Sequence, residues 1–170
     1  IPAQDYDAHG SIDPKTMKVV SFDRHKPKVD SKQIAAVVCL FKNSSRPLIH
    51  LGQGVRLAGA VDEMFKLLDT LRAPVVTARN GNDLIASDHD LYIGRPGTFA
   101  QRGANFAVQT CDLYIAIGTR LSLAQTGYKA TDYARNAHVV MVDIDYAELT
   151  KRTVKIDTAA SFVTANSESL

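Results

Sequence analysis

Tryptophan is missing from the 170 residues, and cysteine occurs only twice, at Cys39 and Cys111. Two thiols cannot build a disulfide scaffold or a zinc site, so a reducing, cytoplasmic compartment is the expectation. No apolar run approaches the ~18–20 residues that cross a bilayer, and no membrane partner is expected. The opening lacks a basic stretch followed by an apolar one, so it does not read as a signal peptide. Neither sign of charge dominates: Lys plus Arg total 20, Asp plus Glu 18, a net +2. A dedicated nucleic-acid binder carries a basic surplus on one face, so no nucleic-acid partner is expected either. Serine elbow, zinc-ligand spacing and P-loop lysine are all absent. There is no initiator methionine before Ile1. The polar, linker-like opening reads as part of a longer protein.

What is present is ordinary for one globular core: 45% hydrophobic and 22% charged residues. Residues 1–30 are polar and broken by Pro2, Gly10, Pro14 and Pro27, which predicts a linker. Asp30 and Gln33 have the spacing of a capping box. Ile34, Val37, Val38 and Phe41 then form one apolar stripe at helical spacing. Beyond Arg46 strands and helices alternate. Strands are expected at 47–51, 74–78, 113–117 and 138–144, with an edge strand at 153–156. Helices are expected at 58–71, 101–110 and 130–136, and at 159–170. Continuous apolar strands separated by helices imply parallel pairing with both faces covered. The expected fold is α/β: an open, doubly wound, Rossmann-like parallel sheet. Such sheets bind ligands at the carboxyl ends of their strands.

Three strand ends carry candidate chemistry. Gly52, Gly54 and Val55 join the first strand to a helix. They read either as a phosphate loop feeding free amides near Ala58 or as a plain strand-to-helix turn. The dinucleotide fingerprint fails, because position 57 is Leu57 rather than glycine and the second strand ends in Ala78-Arg79-Asn80. Gly118, Thr119 and Arg120 follow the third apolar strand. Arg120 suits a phosphate or ribose contact, or is simply solvated. Asp143, Ile144 and Asp145 end the next strand, with the two carboxylates on one side. They can accept from ribose hydroxyls or an adenine amino group, pair at a metal, or cap the turn at 146–149. Asp88-His89-Asp90 reads as a turn, and His50 as a satisfied core histidine. Cys39 is expected at a helix–sheet contact, and neither cysteine has an activating neighbour.

The order of these motifs resembles a known family. It runs Arg46-Pro47-Leu48-Ile49-His50-Leu51-Gly52-Gln53-Gly54-Val55, Pro74-Val75-Val76-Thr77, Gly94-Arg95-Pro96-Gly97 and Ala104-Asn105-Phe106-Ala107. It continues through Asp112-Leu113-Tyr114-Ile115-Ala116-Ile117-Gly118-Thr119-Arg120, Gln125-Thr126-Gly127 and Val142-Asp143-Ile144-Asp145-Tyr146-Ala147-Glu148-Leu149. The whole is similar to the central domain of thiamine-diphosphate-dependent enzymes, and most of all to the acetolactate synthase large-subunit group. The resemblance implies a DHS-like nucleotide-binding domain of about six strands over residues 31–170, preceded by a linker over 1–30.

In that family the flanking pyrimidine- and diphosphate-binding domains hold thiamine diphosphate and Mg2+ in a homodimer or homotetramer. The central domain holds FAD, ADP or nothing. The resemblance therefore implies no catalytic residue and no metal ligand in this segment. It implies nucleotide contacts at Gly52, Gly54, Val55, Gly118, Thr119, Arg120, Asp143, Ile144 and Asp145, with Asp157 as a further adenine contact. The stretch at 94–101 departs from the Met-His-Gly wording of acetolactate synthases. The alternative is a stand-alone adenine-nucleotide-binding module without a catalytic role.

Overall fold

A computed structural model of the chain describes residues 30–160. Six strands form one sheet: β1 (Pro47–Leu51), β2 (Val75–Thr77), β3 (Tyr92–Gly94), β4 (Leu113–Ile117), β5 (His138–Val142) and β6 (Thr158–Ala160). Their order is β3-β2-β1-β4-β5-β6, and every neighbouring pair is parallel. Parallel neighbours need crossovers, and helices supply most of them. α1 (Ser31–Asn43) precedes β1, and the connections carry α2 (Gly54–Leu57), α3 (Val61–Leu71), α4 (Arg102–Thr110), α5 (Leu123–Thr126) and α6 (Tyr146–Leu149). The α/β doubly wound parallel sheet expected from the strand pattern is the fold observed.

Period-two geometry sends alternate residues of each strand to opposite layers. Leu48, Tyr114, Ala116, Val139 and Met141 pack with Ala104 and Val108 of α4. Ile49, Leu51 and Val75 pack with Met64 and Leu68 of α3. Leu113, Ile115, Val140 and Val142 lie under Val37, Leu40 and Phe41 of α1. Burial on both faces explains why the strands read as unbroken apolar runs.

Several expectations shift. The helix expected at 58–71 is shorter, and a separate turn of helix, α2, precedes it. Gly59, at φ 71°, ends the first turn, and α3 starts at Val61. β3 was hidden because Tyr92–Gly94 is only three residues long and half exposed. The edge strand lies at Thr158–Ala160, not at 153–156, so it also replaces the start of the terminal helix expected at 159–170. The rest of that helix, and the linker at 1–29, lie outside the described residues. The helix expected at 130–136 is a single 3-10 turn, Ala130–Asp132, broken by Ala134 at φ 48°. Asp30 does cap α1, accepting from the Lys32 amide at 2.9 Å. Ile34 and Val38 remain exposed while Leu40 joins the packing, so the stripe of α1 that meets the sheet is the half-buried Val37, Leu40 and Phe41. Cys39 is exposed rather than set against the sheet. Cys111 is buried, and burial pushes its thiol up to about 12.

One carboxylate pins the amino ends of the central strands. Asp112, just before β4, accepts from the Ser44 hydroxyl and from the Ser45 and Arg46 amides at 2.8 and 2.9 Å. The Ser44 hydrogen bond is the largest influence, with the two amides behind it, and together they lower the carboxyl to about 2. A depressed folded-state value stabilises above the unfolded value of 3.8 and is lost as pH falls towards 2. Asp112→Asn is therefore expected to flatten the part of the acid-unfolding curve that lies between those values. An unchanged curve in that variant would remove the clamp from the account.

Candidate functional site at the strand ends

The strand order reverses between β1 and β4, and doubly wound sheets open a ligand crevice there. The two strand-end turns meet closely at this point. The Gly52 amide donates to the Ile117 carbonyl at 2.9 Å, and the Gly54 amide to the Gly118 carbonyl at 2.9 Å. The Gly118 amide donates in turn to Val142 at 2.9 Å. A Cβ on Gly52 would stand 2.1 Å from the Gly118 oxygen, and one on Gly54 2.7 Å from the Gly118 Cα. The glycines are thus required by backbone-on-backbone packing. The amides expected to be free are not: Gly52 and Gly54 extend the ladder, and Ala58 donates to Gly54 at 2.9 Å. Asp62 and Glu63 stand in the first turn of α3, where they disfavour an anion. Val55 is buried beside this contact.

Beyond Gly118 the chain turns through Thr119 and Arg120. Thr119 is only 3% exposed, and its hydroxyl donates inward to Gln125 Oε1 at 3.4 Å. The Arg120 side chain is 72% exposed, with Glu148 at 3.4 Å and Asp145 at 3.9 Å. Asp145 caps α6, accepting from the Ala147 amide at 2.9 Å. Asp143 accepts from the Asp145 amide at 2.9 Å. Its second carboxylate oxygen has no hydrogen bond among the described residues. Ile144 is exposed between the two acids. The cap alternative for Asp145 is therefore realised, and the same carboxylate also faces Arg120. Asp157 is not at these tips. It precedes β6 and accepts from the Val139 amide near the start of β5, so the parallel sheet places it at the opposite end.

Glu148 and Lys151 are participants the candidate set omitted. Lys151 pairs with Glu148 at 3.0 Å and donates to the Arg120 carbonyl. Their three-residue spacing was the available signal. A cleft of about 510 Å³ opens beside these groups, lined by Arg120, Ser122, Tyr128, Lys129, Glu148 and Lys151. A smaller cleft of about 220 Å³ lies across α5, lined by Asn105, Gln109, Gln125 and Tyr133. Thr126 and Gly127 border both.

Beneath the tips lies a buried polar chain. His50 is fully buried on β1; its Nδ1 meets the Tyr114 hydroxyl and its Nε2 meets Gln125 Nε2 at 3.1 Å. The Tyr114 hydroxyl continues to that of Tyr133 at 2.9 Å. Burial lowers the imidazole to about 3, so it is neutral at ordinary pH. The satisfied-core reading of His50 holds. His89 is a turn residue, accepting from the Leu91 amide at 3.2 Å.

The residues fit an adenine nucleotide in part. Arg120 and the cations of the larger cleft suit phosphate, and the free oxygen of Asp143 suits a sugar hydroxyl or an amino group. The Gly52 and Gly54 amides do not fit phosphate, because they are already donating. Among the described residues no three His, Cys, Asp or Glu side chains converge.

Comparison with known proteins follows the same line. Residues 34–165 match the family described as thiamine pyrophosphate enzyme, central domain. The chain is similar to the acetolactate synthase large subunit of Porphyra purpurea, with 34% identity over 144 residues. That alignment covers 85% of this chain and 24% of that protein. It is 37% identical to the probable acetolactate synthase large subunit of Methanocaldococcus jannaschii, covering 78% of this chain and 22% of the relative. Against the acetolactate synthase isozyme 2 large subunit of Escherichia coli the identity is 35%, over 66% of this chain and 20% of the relative. The chain thus spans a quarter or less of the relatives it matches. It belongs, by fold, motif order and sequence, to the central-domain family of thiamine pyrophosphate enzymes, with acetolactate synthase large subunits among its relatives.

Proposed function

We propose that this domain holds an adenine nucleotide, FAD or ADP, at the carboxyl ends of β1, β4 and β5. It does so within an enzyme that forms or cleaves the carbon–carbon bond beside the carbonyl of a 2-keto acid. The observation that carries this reading is the convergence of Arg120, Asp143 and Asp145 beside the strand-order reversal. Arg120 is an exposed cation at these tips, and Asp143 keeps an acceptor free. In this reading the chain binds and orients; it contributes no catalytic group. Thiamine diphosphate, with Mg2+, supplies the electron sink when bound by the flanking pyrimidine- and diphosphate-binding domains. The assembly is a cytoplasmic homodimer or homotetramer.

A second reading, a scaffold with no ligand, draws on the Gly52 and Gly54 amides, which already donate to β4 and its turn. Thermal unfolding with FAD, ADP or NAD separates the two. A ligand that binds only the folded state raises the midpoint, by about 2.7 kcal/mol of stability at a hundredfold excess over Kd. ADP or FAD is expected to raise it, and Arg120→Ala and Asp143→Ala to reduce the rise. Equal rises in the variants refute the assigned contacts. No rise with any of the three leaves the scaffold. The stand-alone module is tested by the coding sequence on either side: flanking cofactor domains exclude it.

A further inference from the structure

We propose that His50 is a positioning residue of the strand-end site: through Gln125 it fixes the turn after β4 and the short helix α5, and with them the presentation of Arg120. The inference rests on the nucleotide reading for its functional consequence, but its geometry stands separately. Gln125 Nε2 carries only hydrogens to give, so His50 Nε2 accepts. A neutral imidazole then has its proton on Nδ1, which donates to the Tyr114 oxygen. The Gln125 oxygen is left to accept from Thr119. One core histidine thereby sets the direction of three successive contacts, linking β1 to α5 and α5 to the turn after β4.

That link is one of a few long-range contacts on the segment. The Thr98 amide donates to the Ala124 carbonyl at 3.0 Å, and Lys151 donates to the Arg120 and Leu121 carbonyls. Among the described residues, however, the Gln125 side chain is tied inward to β1 only through His50. α5 is four residues long, and none of them is buried. Its closing bonds are local: Gln125 and Thr126 donate to Ser122, and Gly127 to Leu123. The turn leading into it passes Leu121 at φ 46°, a left-handed conformation that a leucine adopts only under constraint. Leu121 itself is buried, so it anchors the turn on one side while Gln125 anchors the other. Arg120 stands between buried Leu121 and buried Thr119, whose hydroxyl Gln125 holds, and Thr126 and Gly127 wall both clefts. A strand-end turn that could swing would carry the guanidinium away from Asp145 and Glu148.

The test compares the 170-residue chain with His50→Leu, which keeps bulk but no polar atom, and with His50→Gln, which keeps one acceptor and one donor. Amide exchange in α5 and the ADP affinity are read on each. His50→Leu is expected to speed exchange at Gln125, Thr126 and Gly127 and to weaken ADP, each by about tenfold, the size of one lost hydrogen bond. Exchange in β1 and β4 should change less, and His50→Gln should restore most of both losses. Nitrogen-15 shifts should place the His50 proton on Nδ1 in the unaltered chain. Should His50→Leu fold poorly, Gln125→Leu cuts the same contact from the half-exposed side and is expected to give the same pattern. Exchange that rises equally in β1, β4 and α5 overturns the proposal, as does α5 exchange unchanged in both leucine variants. An unaltered chain that ignores ADP and FAD refutes the nucleotide reading instead, while the exchange comparison still decides what His50 holds.

Discussion

Gly52→Ala is expected to destabilise the domain by about 3–5 kcal/mol, enough to leave little soluble protein. The added methyl would stand 2.1 Å from the Gly118 oxygen and 2.6 Å from the Thr119 Cα and Cβ. Both obstacles belong to the turn that leaves β4, which is tied to β5 through Gly118 N to Val142 O at 2.9 Å, while Gly52 N to Ile117 O at 2.9 Å holds the end of β1 against β4. Relief therefore requires separating the two central strands at their ends, not rotating a side chain. Gly59→Ala is the control. Gly59 has φ 71° but nothing within 4 Å of its Cβ position, so only conformational strain of about 1–2 kcal/mol applies. Urea midpoints of the two variants decide the matter. Equal midpoints would mean that the strand ends can part cheaply, and the close approach would lose its structural meaning.

The second large effect is on pH dependence. His50 titrates near 6.5 when unfolded and near 3 when folded, because burial excludes its charged form. Between those values the unfolded chain binds a proton that the folded one refuses, so stability falls as pH falls. The stabilising difference is complete above about pH 6.5, and about 2 kcal/mol is lost by pH 5. The loss begins well above the range in which Asp112 acts. Unfolding midpoints measured at pH 7 and pH 5 should therefore differ strongly in the unaltered chain. They should differ much less in His50→Gln, whose side chain does not titrate. Equal slopes in the two proteins would mean that some other group carries the acid sensitivity.

The sheet was legible because burial on both faces writes long apolar runs such as Leu48-Ile49 and Leu113-Tyr114-Ile115-Ala116-Ile117. β3, with Tyr92 and Ile93 not buried, and β6, with Thr158 and Ala159 not buried, were not legible, whereas the equally short β2 is buried throughout and stands out as an apolar run. The candidate residues at the tips were legible for a related reason: glycine and charge directly after an apolar strand stand out. Gly52, Gly54, Gly118, Thr119, Arg120, Asp143 and Asp145 do gather at one end of the sheet. Their partners were not legible. The Gly52 amide is spent on Ile117, the Thr119 hydroxyl on Gln125, and Arg120 faces Glu148, all contacts between separate segments.

By itself, then, the sequence determined the class of fold, the family and the end of the sheet where the candidate residues gather. Periodicity and residue type are local properties that survive without coordinates. Only the tertiary structure decided which amides remain free, which acids already cap or pair, and that a histidine inside β1 reaches α5. A hydrogen-bonding group has few valences, and how they are spent depends on neighbours that the linear chain keeps far apart.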